Sequence, residues 1–268
     1  MTLDAASFGI LWPAFIAGLL VTATHVPLGM QVLERGIVFI DLAVAQIAGV
    51  GVILADYLGW HPSGAAVQIA ALSAALVGAM VLTWTERRWP EVQEAIIGVV
   101  FVLASSAAIL ILAKNPRGSE HLKELLVGQI LWVNPASLPL EALIYGAILA
   151  LWFGFRERLG RIGFYVLFAC AVTVSVQLVG LFLVFITLVV PALATYYQRH
   201  RRYLKAYSVG TLGYAAGLLA SLWFDLPSGA MIVCAMVIVA VGMAFLGRRG
   251  TVDDVQDART ESRSTPSV

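Results

Sequence analysis

Apolar runs long enough to cross a lipid bilayer recur along most of this chain, and they limit its fold more than any other feature. A helix needs about 20 apolar residues to span a hydrocarbon core of about 30 Å. The 268 residues are 60% hydrophobic and 12% charged, with a mean hydropathy of +0.89. Soluble domains carry about twice that charged fraction. The sequence therefore predicts an all-α, polytopic membrane protein, with a transmembrane domain at residues 1–246 and a polar, disordered tail at 247–268.

The number of predicted helices depends on one apolar run, residues 164–197. At 34 residues this run exceeds the usual span of about 17–25 residues. Gly180 and Pro191 are natural helix breakers within it, so it forms either one very long helix or two short spans, 164–179 and 181–197. Seven other spans are predicted, at residues 8–30, 36–59, 63–85, 92–113, 136–155, 203–224 and 226–246. The apolar piece 125–133 is too short to cross and is interpreted as re-entrant or interfacial.

The distribution of basic residues favours nine spans. With nine, fourteen of the 17 lysine and arginine residues fall on one side of the membrane, and only Lys114, Arg117 and Lys123 fall on the other. Cytoplasmic loops carry such an excess of positive charge. With eight spans, the basic loops 156–163 and 199–205 would lie on opposite faces. We therefore predict an inner (plasma) membrane protein with its N-terminus outside and its C-terminus in the cytoplasm.

Two polar residues interrupt the second predicted span, which is otherwise apolar or small. Asp41 and Gln46 lie five positions apart, about 140° around a helix, so both side chains can reach one interior cavity. A carboxylate at membrane depth costs on the order of 3 kcal/mol and should face protein or water. The alternative is that Asp41 is shallow enough to be wetted, while Gln46 bridges two helices.

His25, in the first predicted span, is expected at the same depth as Asp41 because the two helices run in opposite directions. A pair formed by these side chains would be either a step on a cation path or a structural ion pair. Gln177 and Thr187, in the broken pair of spans, are possible neighbours of Gln46. These five residues are the candidate translocation path, with Asp41 and His25 as the candidate metal ligands.

Carboxylates and imidazoles also gather on the predicted outer face. Such groups suit divalent cations, but they show no tight metal-ligand spacing, which favours simple solvation of the loops. The candidates for receiving a metal on this face are Asp56, His61, Glu120 and His121.

Several kinds of active site have no motif in this chain. It contains no GxxxxGK[ST] phosphate-binding loop, no HExxH, no GxSxG and no cysteine–histidine zinc cluster. No combination of aromatic and basic residues suggests nucleic acid binding. The sequence predicts a protein that is not an enzyme and does not hydrolyse ATP itself.

Four segments, in order, resemble the zinc/manganese permease family of ABC importers (the ABC-3 type). They are VLERGIVFIDLAVAQIAGVGVILA (32–55), QEAIIGVVFVLASSAAI (93–109), HLKELLVGQILWV (121–133) and VQLVGLFLVFITLVVPALAT (176–195). A closing LPSGAMIV (226–233) also fits. The family's second span usually reads D-A-L-S-H, whose Asp and His contribute to the metal path. An ungapped alignment places Leu42 on that Asp and Gln46 on that His, and Gln binds divalent metals more weakly than imidazole.

The resemblance implies a permease that moves a divalent metal, with zinc first and manganese or iron next. It implies a homodimer with a cytoplasmic ATP-binding subunit and an extracytoplasmic metal-binding protein; this chain itself would hold no cofactor, and ATP would bind the partner. The loop 156–163 is shorter than the family's usual docking segment. The residues expected to dock the ATPase are Arg156, Arg158, Arg161, Arg199 and Arg201. Two alternatives stay open: a stand-alone proton-coupled transporter or channel using His25 and Asp41, and a membrane scaffold without transport.

Overall fold

A computed structural model describes residues 5–58, 65–112, 130–198 and 201–245 of the chain, without the side chains of residues 5–8, 156 and 157. Helices account for nearly all of this part, as the apolar runs predict. The first four are α1 (Ala5–Arg35), α2 (Ile40–Tyr57), α3 (Ala65–Arg88) and α4 (Gln93–Leu112). Short 3-10 turns lie at Pro90–Val92 and Ile130–Trp132. The tail 247–268 and most of the predicted re-entrant piece lie outside the described residues.

The second half of the described chain contains five more helices. A helical stretch from Leu138 to Val179 is kinked at Gly160, whose φ of 56° is readily adopted only by glycine. We describe the stretch as two membrane-length helices, α5 (Leu138–Phe155) and α6 (Arg158–Val179), with the kink at Gly160 in the first turn of α6. They are followed by α7 (Leu181–Ala194), α8 (Arg202–Phe224) and α9 (Ser228–Phe245).

The long apolar run 164–197 is divided at Gly180, as one of the two sequence interpretations requires. Gly180 has a φ of 88° and lies between α6 and α7, whereas Pro191 lies within α7 without ending it. Seven of the nine helices in the described ranges are long and apolar enough to cross a membrane. At 14 residues α7 is about 21 Å long, and α8 is less apolar because it is rich in glycine and polar residues.

Side-chain contacts establish the direction of neighbouring helices. Glu34 and Arg202 form an ion pair at one end of α1 and α8, and Gly210 lies against Thr22 further along, so these helices are antiparallel. Contact of Gly217 with Ile232 and of Gly213 with Met236 makes α8 and α9 antiparallel as well. Since α9 then runs in the same direction as α1, the N-terminal end of α1 and the C-terminal end of α9 lie on opposite faces of the bundle.

The ends of four helices bring arginines to one face of the bundle, which we call the basic face. The guanidinium of Arg35, at the end of α1, lies 4.3 Å from the ring centroid of Phe164 near the start of α6. Arg87, at the end of α3, shares a cleft with Ile162 of α6. The Glu34–Arg202 pair, at 2.9 Å, adds the start of α8. The charge pattern of the sequence predicts this clustering.

Small residues allow the helices to pack closely. A Cβ on Gly29 would overlap the backbone carbonyl of Leu188, so α1 and α7 touch through their backbones. Gly51 of α2 lies against Ala70 and Ala74 of α3, and Gly78 lies against Ile47. Close backbone approach is a major source of helix association in lipid, where hydrophobicity does not drive it.

Candidate functional site

The N-terminal end of α2 holds a fully buried carboxylate. Asp41 has no exposed surface and lies in the first turn of the helix. The backbone N–H groups of Asp41 and Leu42 interact with its carboxylate, but within the described residues neither oxygen has a well-aligned hydrogen bond. A helix N-terminus carries partial positive charge, which stabilises an anion there. This position explains how a carboxylate is tolerated inside the bundle.

A second carboxylate reaches the same helix end from α4. The Oε1 atom of Glu94 accepts a hydrogen bond from the backbone N–H of Phe39 at 3.2 Å, at the N-cap of α2. Glu94 is close enough to Asp41 for the two carboxylates to repel each other. Its Oε2 atom is buried and has no hydrogen-bond partner in the part of the chain that the structure describes. Asp41, fully buried, and Glu94, half-buried, thus meet at one helix end, and we call them the acidic pair.

The packing of α2 on α4 explains why the acidic pair forms. The two helices run in the same direction, because Phe39 meets Glu94 at one end while Ile53 packs with Ala108 and Leu112 at the other. Their N-terminal ends therefore lie side by side. Sequence reasoning does not place Glu94 at this site, because α2 and α4 are not consecutive spans. Its position just after Pro90, in the first turn of α4, was the available signal.

The predicted pairing of His25 with Asp41 is absent from the described structure. His25 is fully buried, but its Nδ1 lies 3.0 Å from the Val21 carbonyl oxygen and 3.1 Å from the Thr24 hydroxyl, both on α1 itself. No ion pair within 4 Å joins it to Asp41; the described residues contain such a pair only between Arg202 and Glu34. His25 thus contacts its own helix, while Asp41 faces Glu94.

No hydrogen bond in the described part of the chain links the other residues predicted on the path to the acidic pair. Gln46 is half-buried on α2, and Gln177 is exposed on the surface of α6. Thr187 is fully buried, and its hydroxyl donates to the carbonyl of Leu183 at 2.6 Å and lies 3.0 Å from the hydroxyl of Tyr214. It therefore links α7 to α8. A comparable link that the sequence did not reveal joins Tyr145 of α5 to Ser175 of α6, at 2.7 Å.

The two surface groups predicted to meet partners are only partly described. Of the outer-face candidates, Asp56 is half-buried near the end of α2, and His61, Glu120 and His121 lie outside the described residues. Arg158, Arg161 and Arg201 are exposed on the basic face, whereas Arg199 and the side chain of Arg156 are not described. Within the described ranges, no three histidine, cysteine, aspartate or glutamate side chains are grouped to hold a metal ion.

Comparison with known proteins identifies the family. The ABC 3 transport family matches residues 7–247, nearly the whole chain. The chain belongs to this family. It is therefore a multi-pass membrane permease of an ABC transport system, and membership implies an ATP-hydrolysing partner and a substrate-binding protein.

Individual relatives of this ABC 3 permease agree with that assignment. An uncharacterized membrane protein of Synechocystis is 26% identical over 265 residues, covering 90% of this chain and 92% of the relative. PsaBC from Streptococcus pneumoniae, solved in complex with a Fab, has a TM-score of 0.71 at 19% identity, over 87% of this chain and 90% of that one. An inward-facing transporter assigned to the metal-chelate ABC type has a TM-score of 0.55 at 13% identity, over 92% of this chain and 80% of that one. At such identities the solved structures establish the fold alone.

Proposed function

We propose that this ABC 3 permease is the membrane subunit of an importer that moves a divalent metal ion, zinc first, with manganese or iron as the next candidates. The observation that carries the metal assignment is the acidic pair: a fully buried Asp41 beside Glu94. A buried carboxylate that lacks a well-aligned hydrogen bond is costly in a membrane protein, and such groups mark ion pathways. Oxygen ligands suit divalent cations, and the cation would neutralise the repulsion between the two acids.

The acidic pair provides only two carboxylate ligands, and so small a number suits transport of an ion better than its tight storage. A site on a conduction path must bind well enough for the ion to enter and weakly enough for it to leave. Two carboxylates meet that requirement more readily than a closed cage of four ligands. Gln46, just over one turn beyond Asp41 on α2, is the neutral ligand that we place next on the path.

We assign the basic face to the cytoplasm. Cytoplasmic loops of membrane proteins are enriched in lysine and arginine, and the described arginines at the helix ends converge on this face. The assignment puts the N-terminus outside and the C-terminus in the cytoplasm, in the plasma (inner) membrane. The ATP-binding subunit would dock on this face through Arg158, Arg161 and Arg201, with Arg156 and Arg199, and ATP would bind that partner.

A second copy of the chain would complete the transporter. Gln177 is exposed on α6, a helix apolar enough to cross the membrane. In an isolated subunit its amide would face lipid, which is unfavourable. Contact with a second permease would cover it, so we place Gln177 near the homodimer interface. The metal-binding protein would approach the opposite face, where Asp56 lies.

The proposed mechanism is alternating access. Closure of the ATP-binding subunits on the basic face would rock the helix bundle between outward-open and inward-open states. The cation would enter from the outer face, bind at Gln46 and the acidic pair, and leave toward the cytoplasm. The ligands supplied by this chain would be the carboxylate oxygens of Asp41 and Glu94 and the amide oxygen of Gln46. No step uses His25, whose described contacts are within α1.

The test is uptake of radioactive zinc into proteoliposomes that contain the permease and its partner ATPase, with ATP or a non-hydrolysable analogue on the cytoplasmic side. We expect uptake with ATP only, and competition by manganese or iron if either is the preferred ion. Uptake that ignores ATP but collapses with an uncoupler would replace this proposal with a proton-coupled transporter. Absence of uptake for all three metals, with ATP hydrolysis intact, would refute the metal assignment.

A further inference from the structure

A cleft of about 200 Å³ opens between α3 and α6 on the outside of the bundle. Its floor is formed by buried side chains, Ala79, Thr83 and Tyr165. Its rim is formed by apolar side chains that are exposed, among them Met80 at 57% and Ile162 at 51%. The cleft is almost wholly apolar along its length and lies on helices that cross the membrane. A lipid chain is the apolar molecule always present at such a position.

One end of the cleft is positively charged. Arg87 lines it, and Arg88 follows at the end of α3. Both side chains are exposed, and neither forms an ion pair with a carboxylate in the part of the chain that the structure describes. Arg161, also exposed, directly precedes the rim residue Ile162. The half-buried Glu86 offsets one of these three charges, so this end of the cleft keeps an excess of positive charge.

Two tryptophans fix the depth of the charged end. Trp84 lines the cleft, and its ring meets that of Trp89 edge-on, with the centroids 5.3 Å apart. The two are 58% and 45% exposed. Tryptophan is enriched at the boundary between hydrocarbon and lipid headgroups. The arginines one turn beyond Trp84 therefore lie at headgroup level, with the apolar part of the cleft extending into the hydrocarbon.

We propose that the cleft between α3 and α6 is a binding site for an anionic phospholipid, with one acyl chain along Met80, Thr83 and Ile162 and the phosphate on Arg87. An apolar groove continuous with unpaired guanidinium groups complements a lipid that is apolar at one end and anionic at the other. Basic pockets between transmembrane helices bind anionic headgroups in this way. The occupied site would brace α3 against α6, next to the basic face. This inference does not depend on which metal is transported.

Native mass spectrometry of the delipidated permease tests the proposal. The protein is mixed with dioleoyl phosphatidylglycerol or with dioleoyl phosphatidylcholine, which has the same chains but no net charge. We expect preferential retention of phosphatidylglycerol. The Arg87→Gln variant should reduce that preference about fivefold, the effect of one arginine near an anionic headgroup, and Arg87→Lys should preserve most of it. Met80→Trp, which narrows the cleft, should weaken retention of both lipids.

Arg201→Gln is the matched control, because it removes one exposed arginine from the same face at a distance from the cleft. It should leave the lipid preference unchanged. Equal retention of the two lipids by the wild-type protein would overturn the proposal, and so would equal effects of Arg87→Gln and Arg201→Gln. If Arg87→Gln left lipid retention intact but prevented co-purification of the ATPase, the cleft would be a protein-docking surface instead.

Discussion

Asp41 and His25 are both fully buried titratable residues on the first two helices, and their surroundings differ. The Nδ1 atom of His25 bonds within its own helical turn, to Val21 and Thr24, while its buried Nε2 atom has no hydrogen-bond partner among the described residues. The Asp41 carboxylate lacks a well-aligned hydrogen bond within the described residues and faces another acid, Glu94. Burial alone therefore does not mark a functional residue. The feature that distinguishes Asp41 is the second acid, Glu94, at the same helix end.

The backbone around each residue shows the same contrast. One turn after His25, Gly29 touches the backbone of α7, so this part of α1 has no spare volume. Asp41 instead lies at a helix end, next to a turn at Gly36 with a φ of 70°. A helix end offers N–H groups and positive potential that an ion or a carboxylate can use. We infer that the His25 region provides a rigid contact and the Asp41 region provides the ion pathway.

The largest effect should follow from disturbing the α1–α7 contact. Gly29→Ala puts a methyl group against the Leu188 carbonyl, and because backbone must move, we expect a loss of about 3 kcal/mol in stability or failure to fold. Gly98→Ala on α4, where a Cβ meets no atom within 4 Å, is the control and should be tolerated. Thermal melting in detergent measures both. Equal melting temperatures would show that the contact is not tight.

A smaller effect is expected at His25 itself. His25→Ala leaves a cavity next to a tight contact and should cost about 2 kcal/mol of stability, whereas His25→Met, which fills the space, should cost less than about 1.5 kcal/mol. Transport per folded molecule should stay within about twofold in both variants, which zinc uptake normalised to folded protein measures. A tenfold loss of transport in His25→Met would show that His25 is part of the translocation path after all.

Glu94→Gln tests whether the acidic pair acts through its charge. The amide oxygen can still accept the Phe39 N–H bond, while one negative charge facing Asp41 is removed. We expect uptake to fall about fivefold, equivalent to about 1 kcal/mol, with no loss of thermal stability because repulsion is relieved. Asp225→Asn, an exposed acid beyond the end of α8, is the control. Unchanged uptake in Glu94→Gln would leave Asp41 as the sole acidic ligand.

The smallest effect should come from the exposed ion pair between Glu34 and Arg202. Partly exposed pairs contribute about 0–1 kcal/mol, so a double-mutant cycle with Glu34→Gln and Arg202→Gln should give a coupling below about 1 kcal/mol. The coupling energy from this cycle is the reference value for a carboxylate that, unlike that of Asp41, has a partner of opposite charge. A coupling of several kcal/mol would mean that this pair, and not helix packing, holds α1 to α8.

The sequence is sufficient to predict the helices and the basic face. The length and hydrophobicity of the apolar runs identify the helices that can cross a membrane. The break at Gly180 also follows from residue chemistry, because only glycine takes its φ without strain. Charge distribution predicts that Arg35, Arg87 and Arg202 share a face, since each lies at a helix end.

The acidic pair could not be predicted in the same way. The sequence gives the depth of His25 and Asp41 along their helices. Whether the two side chains meet also depends on how each helix is rotated about its axis and on which helices are its neighbours. Glu94 reaches Asp41 because α4 packs beside α2 in parallel, which is a contact between non-consecutive spans. No local pattern encodes that choice. The sequence predicts a loop at 156–163, but these residues are helical on both sides of the kink at Gly160, which the basic composition does not reveal.

The most direct test of this account compares Asp41→Asn with His25→Met in one assay. Both variants are reconstituted with the partner ATPase, and ATP-driven zinc uptake is measured per folded permease. We predict that Asp41→Asn lowers uptake at least tenfold, equivalent to about 1.4 kcal/mol or more, while its melting temperature does not fall. His25→Met should keep at least half of wild-type uptake. Normal uptake by Asp41→Asn, or a greater loss in His25→Met, would contradict the assignment of the ion pathway to the N-terminal end of α2.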